Sequence, residues 1–294
     1  MINITFIGFG EAGGLFAREL SQVAQVTVWD RKFARQETRQ AMEDKAASSG
    51  VRIARSLSEA LLDARLIFST VTASEALNVA MAAAVDLKGG QTLLDLNSVA
   101  PATKLAAAEV IEATGAAYID VAVMAPVPPK RLKTPLLIGG ITAETVDSQL
   151  RELGFNSQYR SREVGEASAI KMCRSVMIKG LEALTTECLS AARQYGVEQA
   201  VLESLHASFP SLGWDARLPD YLISRVAEHG QRRAEEMREV VQTLQDVNVP
   251  AAMSQAIVAT QQGLVDSLTR RGLRYSQLTP FIWQQTLDRI YPKD

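Results

Sequence analysis

Ile2-Asn3-Ile4-Thr5-Phe6-Ile7-Gly8-Phe9-Gly10-Glu11-Ala12-Gly13 is the stretch that decides the fold. A short apolar run ends in glycines spaced Gly-x-Gly-x-x-Gly, and a helical pattern, Glu11 to Gln22, follows at once. Each glycine has a distinct physical use in such a turn: Gly8 permits the tight bend, Gly10 lets a pyrophosphate approach the backbone, and Gly13 lets helix and strand pack closely. The free N–H groups and dipole at the helix N-terminus then favour the phosphate charge. At the end of the next apolar run stands Asp30, an acidic residue suited to accept hydrogen bonds from the adenine ribose. That points to NAD, whereas Arg31 and Lys32 directly after it could hold the 2′-phosphate of NADP. The residues expected to border the dinucleotide are Gly8, Phe9, Gly10, Glu11, Ala12, Gly13, Asp30, Arg31, Val71, Thr72 and Asn97.

Outward from this turn, apolar runs recur at Val26–Trp29, Val51–Ala54, Leu66–Val71, Thr92–Leu96, Tyr118–Val123 and Leu136–Ile138. Helical patterns lie between most of them, among them Leu57–Asp63, Glu75–Ala84 and Ala102–Thr114. Strands apolar throughout are covered on both faces, so the alternation predicts an α/β, doubly wound, mainly parallel sheet. The proline-rich and basic stretch 126–135 reads as a stiff loop within this sheet; Lys130, Arg131 and Lys133 there are read as solvated rather than anion-binding. Beyond Val164 only helical periodicity is found, which predicts an all-helical second domain. The expected organisation is a dinucleotide-binding domain over 1–162 and a helical domain for substrate and dimerisation over 163–294.

The chain has 294 residues, 47% of them apolar, and a formal net charge of −2. No basic concentration suits nucleic acid, so a small-molecule partner is expected. The two cysteines, Cys173 and Cys188, fall in one helical stretch and suit a reducing cytoplasm; the start lacks a signal-peptide pattern, and no run is long enough to span a bilayer. Two histidines and two cysteines in no ligand spacing indicate no metal site, and His206 reads as structural. The aromatic end (Tyr275, Phe281, Trp283, Tyr291) reads as a core or subunit contact.

The helix opening near Gly165 carries Lys171, Arg174, Ser175, Ile178 and Glu182 on one stripe of a largely apolar surface. Desolvation lowers a lysine pKa towards the range useful in acid–base work. The residues alone leave open a lysine that snorkels to Glu182 or Glu166.

Four segments in order resemble the β-hydroxyacid dehydrogenase family, which includes 3-hydroxyisobutyrate and 6-phosphogluconate dehydrogenases. They are the glycine turn; 95–101 (Asp-Leu-Asn-Ser-Val-Ala-Pro), similar to the family's Asp-x-Ser-Thr-x-x-Pro; 118–124, similar to its Asp-Ala-Pro-Val-Ser-Gly-Gly; and Gly165 with Lys171, similar to its Gly-x5-Lys-x-x-Asn-Asn. The resemblance implies hydride transfer between the nicotinamide and a small anionic hydroxy acid, Lys171 as the catalytic acid/base, and a homodimer or larger homo-oligomer. It also implies substrate contacts from Asn97, Ser98, Met124, Arg174 and Ser175. Met124 stands where the family has serine, and Arg174 and Ser175 stand where it has two asparagines, so a divergent branch with a changed substrate is expected. The stretch 229–238 resembles an uncharacterised C-terminal domain of 6-phosphogluconate-dehydrogenase-like proteins. There His229, Arg232, Arg233 and Glu236 share a helix face, and Arg232 or Arg233 could hold a substrate carboxylate or be merely solvated. The alternatives to dehydrogenation are imine-reductase-like C=N reduction and a non-catalytic dinucleotide-binding scaffold.

Overall fold

A computed structural model describes residues 1–214 and 217–292. Contacts divide the chain into two compact units, Met1–Met172 and Cys173–Asp294.

The first unit is built on eight strands: β1 (Asn3–Ile7), β2 (Gln25–Trp29), β3 (Arg52–Ile53), β4 (Leu66–Ser69), β5 (Thr92–Asp95), β6 (Ala117–Val123), β7 (Pro135–Gly139) and β8 (Asn156–Ser161). Their order in one sheet is β3-β2-β1-β4-β5-β6-β7-β8. Every pairing is parallel except β6 with β7. The chain starts in the middle, winds outward through β2 and β3, then returns past β1 to β4. Ligands in such sheets bind beyond the carboxyl ends of the strands where the winding reverses, which here is between β1 and β4.

The helices of this unit are α1 (Glu11–Leu20), α2 (Gln36–Ser49), α3 (Leu57–Leu61), α4 (Ala76–Ala84), α5 (Pro101–Glu112), the single turn α6 (Val127–Lys130) and α7 (Ala143–Glu152). They cover both sheet faces, and each face has its own core. On one, Phe6 stacks on Phe68 at 4.9 Å, and Phe155 meets both Phe68 and Phe16. On the other, Ile7, Ile67 and Leu93 pack with Ala80, Ala107 and Ile111 of α4 and α5. Alternate residues of the buried strands feed the two cores, so continuous apolar runs were required.

All seven runs read from the sequence are strands, and an eighth was not foreseen. β8 reads Asn-Ser-Gln-Tyr-Arg-Ser and lies at the sheet edge, with only Ser157 buried. An edge strand needs no apolar run because one side and much of both faces meet water. The proline-rich stretch is also more ordered than a loop, since α6 and a 3₁₀ turn at Arg131–Lys133 lie inside it.

The second unit is helical. α8 (Glu166–Tyr195) begins in the first unit and continues into the second; α9 (Glu198–Ser208), α10 (Leu218–Asp246), α11 (Ala252–Arg270) and α12 (Trp283–Ile290) follow. Leu189, Ile223, Val226, Leu264, Leu268, Trp283 and Leu287 form its core. Tyr275 and Phe281 pack against that core, and Trp283 lies in it; Tyr291 is partly exposed. No helix among the described residues is long and apolar enough to cross a membrane.

Candidate functional site

The glycine turn lies at the carboxyl end of β1, and its three glycines meet different surroundings. Gly8 has φ +93, and a Cβ there would lie 2.4 Å from the Thr70 carbonyl oxygen. A Cβ on Gly13 would lie 2.4 Å from both the Gly8 oxygen and Thr70 Oγ1. A Cβ on Gly10 would meet nothing within 4 Å. Gly8 and Gly13 are thus demanded by the protein's own packing, whereas Gly10 faces open space. Gly10 is also the N-cap of α1 and offers no side chain to its first turn. Open space beside uncapped N–H groups fits a dinucleotide pyrophosphate.

Other side chains fix this turn. Thr70 Oγ1 donates to the Gly8 oxygen at 2.7 Å, joining the ends of β1 and β4. Asp30 Oδ2 accepts from the Phe9 N–H at 2.8 Å, and its Oδ1 accepts from the Lys32 N–H at 2.9 Å. A carboxylate has further lone pairs for ribose hydroxyls. Phe9 is fully buried, its N–H held by Asp30 and its oxygen by Lys45. Arg31 is exposed and paired with Glu75 at 3.2 Å. Lys45, which the sequence reading passed over, donates to the Phe9 and Gly10 oxygens at 2.8 and 2.7 Å and lies over the Phe9 ring. Burial pushes its pKa down, with Asp30 opposing.

The loop after β5 carries Asn97 and Ser98. Asn97 is buried; its Oδ1 accepts from the Val71 N–H at 2.7 Å and its Nδ2 donates to Ser69 Oγ at 2.9 Å. It braces the end of β4, including Val71 and the adjoining Thr72. Ser98 is only partly buried and accepts a hydrogen bond from Lys171 Nζ, in the second turn of α8. Two residues 73 positions apart are thereby joined within the first unit. Met124 is half-buried at the end of β6, its N–H donating to the Pro135 oxygen. Glu166 pairs with Arg160 and Glu182 with Arg233.

The sequence-selected residues from Arg174 onward belong to the second unit. Arg174 is exposed and Ser175 buried, accepting from Lys179 Nζ at 3.5 Å. Arg233 is buried and pairs with Glu182 at 2.7 Å; Arg232 is exposed and pairs with Glu236 at 2.7 Å. Burial and the positive Arg225, Arg232 and Arg233 push His229 down to about 4. Lys130 is exposed, Arg131 pairs with Glu19, and Lys133 donates to the Gly154 oxygen.

The sequence reading also missed a buried ionic cluster. Lys104 is fully buried, with Nζ 3.1 Å from Asp95 Oδ1 and 3.5 Å from Asp120 Oδ1. The signal was present: Lys104 sits at helical spacing with Ala107, Ala108 and Ile111 on the buried face of α5. A charge within an apolar stripe marks a buried partner.

Comparison with known proteins agrees with this geometry. Residues 3–147 match the NAD binding domain of 6-phosphogluconate dehydrogenase, and residues 192–264 match a domain of unknown function, DUF1932. A conserved hypothetical protein from Sinorhizobium meliloti is 36% identical, covering 99% of this chain and 97% of its own, with a TM-score of 0.77. A conserved protein of unknown function, described as structurally similar to 3-hydroxyacid dehydrogenases, is 31% identical over 90% of this chain and 97% of its own, with a TM-score of 0.70. The 3-hydroxyisobutyrate dehydrogenase of Salmonella typhimurium shares the fold at 14% identity, covering 96% of this chain and 100% of its own, with a TM-score of 0.71. With an NAD(P)-binding sheet domain of this topology and a divergent helical domain after it, the chain belongs to the β-hydroxyacid dehydrogenase family of NAD(P)-dependent oxidoreductases.

Proposed function

We propose that the protein catalyses reversible hydride transfer between a nicotinamide dinucleotide and the carbinol carbon of a small hydroxy acid. The hydrogen bond from Lys171 to Ser98 is the observation that carries this reading. It joins the two residues that family resemblance assigns separately, one to the acid/base and one to the substrate loop, beyond the carboxyl ends of the parallel strands.

The bound cofactor supplies the redox chemistry at its nicotinamide ring. Gly10 and the first turn of α1 hold the pyrophosphate, Asp30 accepts from the adenosine ribose, and Val71 and Thr72 line the cofactor's edge. Asp30 favours NAD, because its carboxylate is held beside the turn while Arg31 is engaged by Glu75. Lys171 takes the hydroxyl proton at Nζ during oxidation and returns it during reduction. In its charged form it also stabilises alkoxide character at the same oxygen. Ser98 orients both Lys171 and the substrate hydroxyl, and Asn97 holds the loop that carries Ser98. Met124 replaces a hydroxyl with an apolar surface, which suits a substrate differing from those of the serine-bearing relatives. Arg174 and Ser175 follow Lys171 on α8 and, with Arg232, Arg233 and His229, are the helical-domain candidates for a substrate carboxylate. Arg232 is the more available fork, because Arg233 is buried against Glu182. Family membership also supports a homodimer, for which the exposed Met177, Leu184 and Tyr195 of α8 offer apolar surface; sedimentation equilibrium measures it.

The test is to titrate NADH and NADPH separately into the wild type, then to screen hydroxy acids, their keto forms, and carbonyl–amine pairs for turnover. Turnover of a hydroxy or keto acid with tighter NADH binding is expected. Turnover only of carbonyl–amine pairs would replace this reading with imine reduction, and cofactor binding without any turnover would replace it with a scaffold.

A further inference from the structure

The buried cluster around Lys104 reaches both halves of the candidate site. Asp95, at the end of β5, and Asp120, midway along β6, are register partners, so their side chains leave the sheet side by side. Lys104 Nζ comes between them from α5 and also donates to the Asp95 oxygen at 2.6 Å. Each carboxylate then holds something else. Asp95 Oδ1 accepts from the Asn97 N–H at 2.9 Å, and Oδ2 accepts from the Tyr118 hydroxyl at 2.7 Å. Asp120 Oδ2 accepts from the Gly165 and Ser168 N–H groups at 3.1 and 3.0 Å, and Oδ1 from the Ser168 hydroxyl at 2.6 Å. One carboxylate thus fixes the loop that presents Ser98; the other fixes the first turn of the helix that presents Lys171.

The charges explain the arrangement. A lysine with no exposed surface lies between two carboxylates with almost none. One cation balances one anion, and the second anion is met by the N–H groups and dipole of the α8 N-terminus. Removing one charged member leaves a buried charge without compensation, whereas well-packed apolar side chains of similar volume would serve stability as well or better. Stability alone therefore does not account for the cluster, and its hydrogen bonds reach both the loop that carries Ser98 and the first turn of the helix that carries Lys171.

We propose that Lys104, Asp95, Asp120 and Ser168 are positioning residues that set the Ser98–Lys171 contact and, through it, the proton affinity of Lys171. This rests on the reading of Lys171 as the acid/base. None of the four is proposed to touch substrate.

Lys104→Met strands two buried carboxylates and is expected to fail to fold, so the test uses Asp120→Asn, which keeps the shape, and Ser168→Ala, which removes one hydroxyl. In the full chain, the pH dependence of Lys171 reactivity is read by competitive labelling with trace acetic anhydride and peptide mass spectrometry. Folding of each variant is checked by circular dichroism. The midpoint for Lys171 is expected to move by about one pH unit, the size of one charge-assisted hydrogen bond, and Ser168→Thr is expected to restore it. With any keto acid that the wild type turns over, kcat should fall about 10–100-fold while NADH affinity is retained. Folded Asp120→Asn and Ser168→Ala proteins that both keep the wild-type Lys171 midpoint would overturn the proposal. A wild type that turns over no hydroxy or keto acid removes the dehydrogenase reading instead, and the labelling result still decides the positioning.

Discussion

At the residue scale, Lys171 and the glycines make separable demands. Lys171→Ala removes a proton carrier without touching the turn, so kcat is expected to fall by about 10²–10⁴-fold with NADH affinity unchanged. Steady-state kinetics beside a fluorescence titration checks both; equal losses in the two would argue for a general collapse of the site. Gly10→Ala adds a methyl that meets nothing in the protein, so its melting temperature should match the wild type while dinucleotide binding is lost. Gly13→Ala drives a methyl against the Gly8 oxygen and Thr70 Oγ1 and should lower both. Calorimetry with and without NADH separates the two variants. The glycine spacing was legible in the sequence because each position answers to local backbone sterics. That Gly10 alone faces open space was not, since this depends on Thr70, which the chain brings to the turn from β4.

At the element scale, α8, α10 and α11 share a buried polar seam. Glu182 of α8 accepts from Arg233 of α10 and from Gln261 Nε2 of α11, while Lys179 of α8 pairs with Glu236 of α10. Gly230 lets α10 and α11 approach, because a Cβ there would lie 2.4 Å from the Gln261 oxygen. Glu182→Ala leaves the Arg233 charge buried and is expected to cost about 3–5 kcal/mol, whereas Glu182→Leu with Arg233→Met should recover most of that loss. Urea unfolding of the single and double variants measures it; equal destabilisation in both would mean that the pair's charges do not govern this seam. Helical periodicity predicted these elements, but not which of their charged residues face inward. Arg232 and Arg233 differ by one position and read alike in sequence, yet a 100° step around α10 separates an exposed fork from a buried one.

At the scale of the whole molecule, His229 links stability to pH. Its folded value of about 4 lies below the ordinary 6.5, so the folded chain refuses a proton that the unfolded chain accepts. This contribution is intact above about pH 6.5 and is lost as pH falls from there towards the folded value. His229→Gln should therefore lose less thermal stability than the wild type between pH 7 and pH 5, as calorimetry at the two pH values would read; parallel losses would remove His229 as the source. The sequence by itself determined the α/β class, the seven apolar strands, the dinucleotide turn and the helical character of the second unit. Those features follow from side-chain periodicity and backbone sterics, which act over a few residues. It did not reveal β8, because a polar edge strand carries no apolar signature. Nor did it show what lies beneath the site. Lys104 stands out as a charge in the apolar stripe of α5, but its partners Asp95, Asp120 and Ser168 lie on separate elements and each alone reads as an ordinary polar residue. Only the parallel register of β5 with β6, and the docking of α5 and α8 against them, places them in hydrogen-bonding range, where the loss of water forces each charge to find its partner.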